Sequence, residues 1–192
     1  RITESVRVLF YSKEGILSTP VNVCSKYIVM FIIFGAFLER TGIADFFINI
    51  ANALVGRFSG GPAKVAVVAS AFMGMVSGSS VANTVGTGSV TIPLMKKTGY
   101  KPEFAAAAEA SASTGGQIMP PIMGAAAFLM TEYTGMPYSQ IAIAAILPAV
   151  LYFTGIFMMI HFEAKKLGLK GLPKESIPNF FKLVFSKGYL LL

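Results

Sequence analysis

Hydrophobic positions in this chain fall in long uninterrupted blocks rather than in the alternation of a half-buried strand, and short polar stretches punctuate the blocks. The longest block without a charge is Val65 to Met95, 31 residues between Lys64 and the pair Lys96 and Lys97. A helix needs about 20 apolar residues to cross a bilayer core of roughly 30 Å, so the block is too long for one straight crossing and too short for two. Basic residues at both ends favour the cytoplasmic side, and a segment with both ends there goes in and comes back. The pattern predicts a re-entrant helical hairpin over residues 62–98, each arm about 13 residues and roughly 20 Å long. Its tip reads Ser77-Gly78-Ser79-Ser80-Val81-Ala82-Asn83-Thr84 and would lie at mid-membrane. Non-helical backbone persists at that depth only when buried in protein or lining a watery cavity, so the tip is a candidate site.

The blocks on either side predict further helices. Residues 1 to 19 are mixed and read as interfacial, with Gly15 and Pro20 as breakers. A first span runs from about Pro20 to Leu38 and stops at Glu39-Arg40-Thr41-Gly42. Ile43 to Val55 carries Phe46, Phe47, Ile50 and Leu54 at helical spacing among Asp45, Asn49 and Asn52, the signature of an amphipathic helix lying in the interface. Beyond the hairpin, an apolar segment over 102–133 is interrupted by Ser113-Thr114-Gly115-Gly116-Gln117-Ile118-Met119-Pro120-Pro121. Proline lacks an N–H and clashes one turn back, and two glycines tolerate unwound geometry, so this span is predicted to cross as a broken helix. A return span follows from Pro137 to His161, with Pro148 a candidate kink and Lys165 and Lys166 at its exit.

Composition agrees with a membrane class: 54% hydrophobic, 13% charged and a mean hydropathy of +0.67. The net charge of +7 sits at the edges of apolar blocks, as the positive-inside rule expects, and argues against nucleic acid as a partner. Cys24, the single cysteine, lies in an apolar run and reads as a small core residue. The chain opens at Arg1 without a signal-peptide pattern and ends in an apolar run, which reads as an excerpt of a longer polypeptide.

Two polar interruptions at similar depth gather neutral oxygens of the kind that hold a sodium ion. Ser77, Ser79, Ser80, Asn83 and Thr84 come from the hairpin tip; Thr114 and the backbone carbonyls of Gly116 to Met119, Gln117 included, come from the broken span. The half-helix N-termini beyond the breaks suit an anionic substrate group. Isolated serines and glycines equally serve close helix packing. Glu109, inside an apolar span, is either a coupling group or a structural carboxylate bonded to Ser or backbone. His161, beside Glu163 and Lys165, reads as an interfacial histidine. A membrane serine protease is disfavoured, because Met75 stands where a Gly-x-Ser-Gly pattern needs glycine and His161 lies far from Ser77 in depth. No catalytic residue and no transition-metal ligand set is assigned.

The strings Gly74-Met75-Val76-Ser77-Gly78-Ser79-Ser80-Val81-Ala82-Asn83, Thr91-Ile92-Pro93-Leu94-Met95-Lys96-Lys97-Thr98-Gly99-Tyr100 and Glu109-Ala110-Ser111-Ala112-Ser113-Thr114-Gly115-Gly116-Gln117-Ile118-Met119-Pro120-Pro121 resemble the large membrane subunit of tripartite ATP-independent periplasmic (TRAP) transporters. Gly60-Gly61-Pro62-Ala63-Lys64 and the Glu109 to Gln117 string look most like the fused permeases that work with TAXI-type binding proteins. The resemblance covers roughly residues 15 to 175. It implies an all-α membrane protein, one half of an inverted-repeat elevator transporter in the bacterial inner membrane. The divisions would be a scaffold span and interfacial arm helix over 1–57, a transport-domain half over 58–133, and a return span and cytoplasmic linker over 134–192 towards a second repeat. It further implies sodium-coupled import of an organic anion, with a periplasmic binding protein and a small membrane subunit or fused equivalent as partners, and no cofactor besides the coupling ion. Carried over by position, the resemblance implies a sodium site at Ser77, Ser79 and Asn83 with Gly116 and Met119 as backbone donors. From the residues themselves, not from the resemblance, Ser80, Thr84, Thr114 and Gln117 are substrate-proximal candidates and Glu109 a possible coupling group. A sodium/dicarboxylate symporter without a binding protein, and a channel module, are the competing readings.

Overall fold

The computed structural model describes residues 2–12, 15, 18–173, 177–180, 183 and 185, and all regular structure among them is helical. Helix α1 spans Ile2–Tyr11 and α2 Thr19–Val23; a π-helical turn, Cys24–Ile28, joins α2 to α3, Val29–Arg40. Then come α4, Ile43–Val55, α5, Gly61–Ser77, and α6, Ser80–Lys97. Helix α7 spans Pro102–Gly115, a 3₁₀ turn covers Gly116–Ile118, α8 is Ala125–Thr134 and α9 is Tyr138–Lys166. Val21–Leu38 and Tyr138–Lys166 are the two helices among the described residues long and apolar enough to cross a membrane.

Helix α4 has the bounds its periodicity predicts, and its apolar face is covered. Ile43, Phe46, Phe47 and Ile50 form one buried cluster with Met73 of α5. Helix α9 contains Pro148 and runs past His161 to Lys166, with Ile160 and Ala164 on either side of His161 packed into the core. Cys24 departs from expectation: it is exposed, because only 6% of the Val21–Leu38 window is covered by the rest of the chain.

Helices α5 and α6 pack against each other as a helical hairpin with a two-residue connection, Gly78 and Ser79. Gly78 adopts φ 58 and its N–H bonds the Gly74 carbonyl at 3.2 Å, closing α5 with a left-handed cap that a side chain would strain. Ser79 starts α6, its Oγ accepting from the Ala82 N–H at 3.3 Å. The arms are 17 and 18 residues, about 26 Å each, rather than 13 residues, because the basic flanks Lys64, Lys96 and Lys97 are themselves helical. At the open end the Tyr100 hydroxyl donates to the Gly60 carbonyl at 3.4 Å, and Tyr100 stacks on Phe104 of α7 at 5.5 Å.

Small residues fill the space between the hairpin, α7 and α9. Ala63, Ala66, Ala105, Ala108, Ala112 and Ala164 are buried together with Met95, Tyr100 and Ile160. Close backbone approach of this kind is the packing available to helices in lipid, where burying apolar surface gains little. Lys64, a basic flank of the hairpin, is not open to water: it is 2% exposed, and its Nζ donates to Nδ1 of His161 at 2.9 Å. The rings of Phe157 and Phe58 flank the ammonium at 5.2 and 5.8 Å. His161 is thus tied to the hairpin base, a contact between positions 97 residues apart.

Candidate functional site

The hairpin tip and the break of the α7–α8 segment face each other across a cavity of about 510 Å³. Ser77, Gly78, Ser79 and Ala82 line it from the hairpin, Gln117 and Ile122 to Ala126 from the break, and Phe31 and Gly35 from α3. Gln117 bridges the two, its Nε2 donating to Ser80 Oγ at 2.8 Å. Ser77 Oγ makes only long contacts to Ser79, accepting from its N–H at 3.4 Å and donating to its carbonyl at 3.5 Å. It is the least committed oxygen at the tip.

Several backbone carbonyls of the break already have partners. Met119 N–H reaches the Gly116 carbonyl at 3.2 Å and Gly124 N–H the Gln117 carbonyl at 2.7 Å. The Tyr138 hydroxyl, from the start of α9, lies against the Pro121 carbonyl at 2.9 Å and the Ile122 carbonyl closer still. Tyr138 also stacks on Phe128 at 4.7 Å, and Phe128 meets Phe31 at 5.0 Å, so an aromatic row holds α8 between α3 and α9. Nothing in the polar pattern singles out Tyr138; its aromatic body and polar tip suit a place where one end must satisfy a backbone group.

The remaining predicted residues have distinct settings. Asn83 is fully buried; its Nδ2 donates to the Ser70 carbonyl at 2.8 Å, bracing α6 against α5, and its Oδ1 faces the Thr87 hydroxyl at 3.3 Å. Gly116 packs on Gly74 so tightly that a methyl group on Gly74 would meet the Gly116 Cα at 2.4 Å. A methyl on Gly116 would in turn meet the Asn83 Nδ2 at 2.9 Å. Met119 is half-buried just after the 3₁₀ turn. Thr84 and Thr114 donate to carbonyls of their own helices, Ser80 and Ala110, each at 2.8 Å, and are not brought to the tip.

Glu109, fully buried on α7, sits one layer towards the base from Asn83. Its Oε1 accepts from Ser70 at 3.1 Å, from Ser113 at 3.3 Å and from Thr87 at a shorter distance, and its Oε2 accepts from Thr91 at 2.5 Å. One carboxylate thereby joins both hairpin arms to the first half of the broken helix. Sequence reading allowed a bond to serine or backbone but could not name these partners. Glycine inside a helix costs about 1 kcal/mol relative to alanine, so Gly74 was the readable signal of close approach.

The family profile described as "Tripartite ATP-independent periplasmic transporter, DctM component" matches residues 11–192. The chain is 28% identical over 183 residues to the C4-dicarboxylate TRAP transporter large permease protein DctM of Pseudomonas aeruginosa, covering 92% of this chain and 42% of that protein. It is 34% identical over 151 residues to the protein of the same description from Vibrio cholerae, 77% of this chain and 32% of that one. With the sialic acid TRAP transporter large permease protein SiaM of Vibrio cholerae it shares 28% over 181 residues, 94% and 42% of the two chains. The chain thus spans less than half the length of these relatives, which are permease subunits and not enzymes. Helical throughout its described regular structure, with two membrane-length helices among the described residues, and matched over nearly its whole length by that profile, the chain belongs to the DctM component family of tripartite ATP-independent periplasmic transporters.

Proposed function

We propose that this chain forms one repeat of a sodium-coupled permease that imports an organic anion across the bacterial inner membrane. The α5–α6 hairpin is re-entrant from the cytoplasmic side and moves with the broken α7–α8 segment as part of an elevator against a scaffold that includes α2–α3. The observation that carries this reading is the meeting of two interruptions, hairpin tip and helix break, at one cavity with Gln117 bonded across to Ser80. Neutral oxygens of Ser77, Ser79 and Asn83, with the Gly116 and Met119 carbonyls, suit sodium, a hard monovalent ion that neutral dipoles hold weakly enough to release. The N-terminus of α6 at Ser80 and that of α8 at Ala125 open towards the same region, and their positive dipole ends suit a carboxylate. Ser80 and Gln117, bonded to each other, lie on the substrate side of the ion in this reading, whereas Thr84 and Thr114, bonded within their own helices, take no part in it. The soluble partner is a TAXI-type periplasmic binding protein, with a small membrane subunit or its fused equivalent completing the assembly. Support for the TAXI type comes from the Glu109 to Gln117 string.

Two measurements bear on this. Uptake by the complete transporter in proteoliposomes is expected only when the loaded binding protein is supplied. Conduction of free substrate without saturation would instead identify a channel. For the hairpin, cysteines placed at the exposed positions Arg57 and Lys97, in a Cys24→Ser background, should both react with an impermeant reagent from the cytoplasmic face. Reaction from opposite faces would turn the hairpin into a crossing and remove the mid-membrane tip.

A further inference from the structure

Glu109 is the only fully buried carboxylate among the described residues, and its surroundings are unusual for an acid. Among those residues no Lys, Arg or His nitrogen lies within 4.0 Å of it. The groups that face it are hydroxyls: Ser70 from α5, Thr87 and Thr91 from α6, Ser113 from α7. The nearest ionisable residues along those helices, Lys64, Lys96 and Glu103, are five or six positions away, about 8 Å or more. On α9, the His161 ring is occupied by Lys64.

Counting hydrogens shows what such a cradle can do. Each hydroxyl carries one hydrogen, and with Glu109 ionised all four point at its two oxygens. Thr91 has a second acceptor in reach, the Thr87 carbonyl at 3.0 Å. When Oε2 takes up a proton, the new O–H donates to Thr91 Oγ, and the Thr91 hydrogen turns to that carbonyl. Oε1 keeps the hydrogens of Ser70, Thr87 and Ser113. Both charge states are then fully hydrogen-bonded, and one hydroxyl rotation separates them, with no movement of a heavy atom. A purely apolar pocket would satisfy neither, and a fixed cation would satisfy only the ionised one.

We infer that Glu109 is a reversible proton-binding site of the transport unit, with Thr91 the hydroxyl that serves both states. The site is joined to the tip, since Thr87 also faces Asn83 Oδ1 at 3.3 Å and the Asn83 amide packs over Gly116. A proton on Glu109 removes a buried negative charge behind the ion site, so proton and coupling ion are linked. This inference rests on the transport reading above but not on the identity of the coupling ion.

The test is uptake by the complete transporter with loaded binding protein, measured across a pH series at low and at saturating sodium. Wild type should show a sigmoidal pH profile. Glu109→Gln, which keeps one acceptor and one donor, should give a flat profile with sodium activation retained. Thr91→Val removes the hydroxyl at constant shape and should move the midpoint by about one pH unit, whereas Thr91→Ser should leave it in place. A pH-independent wild type, a wild-type profile in Glu109→Gln, or equal shifts in Thr91→Val and Thr91→Ser would each overturn the proton site. If Glu109→Gln fails to reach the membrane, the two Thr91 variants decide alone. Uptake indifferent to sodium but dependent on pH through Glu109 would overturn the sodium reading and leave the proton site standing.

Discussion

Gly74→Ala is expected to lower substrate uptake by the complete transporter roughly 100-fold while leaving the protein in the membrane. The added methyl would lie 2.4 Å from the Gly116 Cα and 3.2 Å from its carbonyl atoms, all backbone, with no flexible side chain to give way. Carbon atoms sit comfortably at about 3.5–4.0 Å, so α5 and the start of the break must separate by about 1 Å. Helix propensity runs the other way and favours alanine by about 1 kcal/mol, but overpacking costs about 1–3 kcal/mol, so the net effect is destabilising. The larger consequence is positional. Gly116 begins the break, and Gln117 next to it holds Ser80 across the cavity. Displacing groups at a tuned site by about 1 Å can cost roughly 100-fold in rate, and a loss of that order is expected here. Gly155→Ala is the matched control: it lies inside α9 with nothing within 4 Å of the added methyl, and should be neutral or more stable by about 0.5–1 kcal/mol. Uptake and thermal unfolding of both variants check the pair. Wild-type uptake in Gly74→Ala would show that the close approach of hairpin and break does not matter to transport.

Ser77→Ala is expected to weaken the proposed sodium activation by roughly 5- to 150-fold, the equivalent of about 1–3 kcal/mol for a lost buried polar partner. The substitution is informative because Ser77 Oγ makes only 3.4–3.5 Å contacts to Ser79, so little of the fold depends on it. Apparent substrate affinity should fall at low sodium and recover at high sodium, since the two ligands are linked. Asn83→Ala should give the same shift together with a lower unfolding temperature, because it also removes the 2.8 Å brace from α6 to the Ser70 carbonyl. A fall in stability without a sodium shift would make Asn83 a brace only.

Local signals in the sequence carried the element plan a long way. The 3.6-residue periodicity of Ile43–Val55 located α4, and Gly115-Gly116 with Pro120-Pro121 located the interruption between α7 and α8. What the pattern could not carry were contacts between distant positions. Lys64 reads as a flanking charge until His161, 97 residues on, closes over it. Glu109 reads as an isolated acid until hydroxyls 18 to 39 residues away surround it. The arm lengths were short by four or five residues because charged flanks mark the edge of an apolar block, not the end of a helix. Thr84 and Thr114 have the oxygens a site needs, but both spend their hydrogens on the carbonyl one turn back, the habitual resting place of a helical threonine.

The most direct measurement is the sodium dependence of uptake by the complete transporter, supplied with its loaded binding protein, across a titration in which choline replaces sodium. A site made by the hairpin tip and the break predicts saturable activation by sodium, no uptake in choline alone, and a curve displaced to higher sodium in Ser77→Ala. Equal uptake in sodium and choline, or a Ser77→Ala curve superimposed on that of wild type, would contradict it.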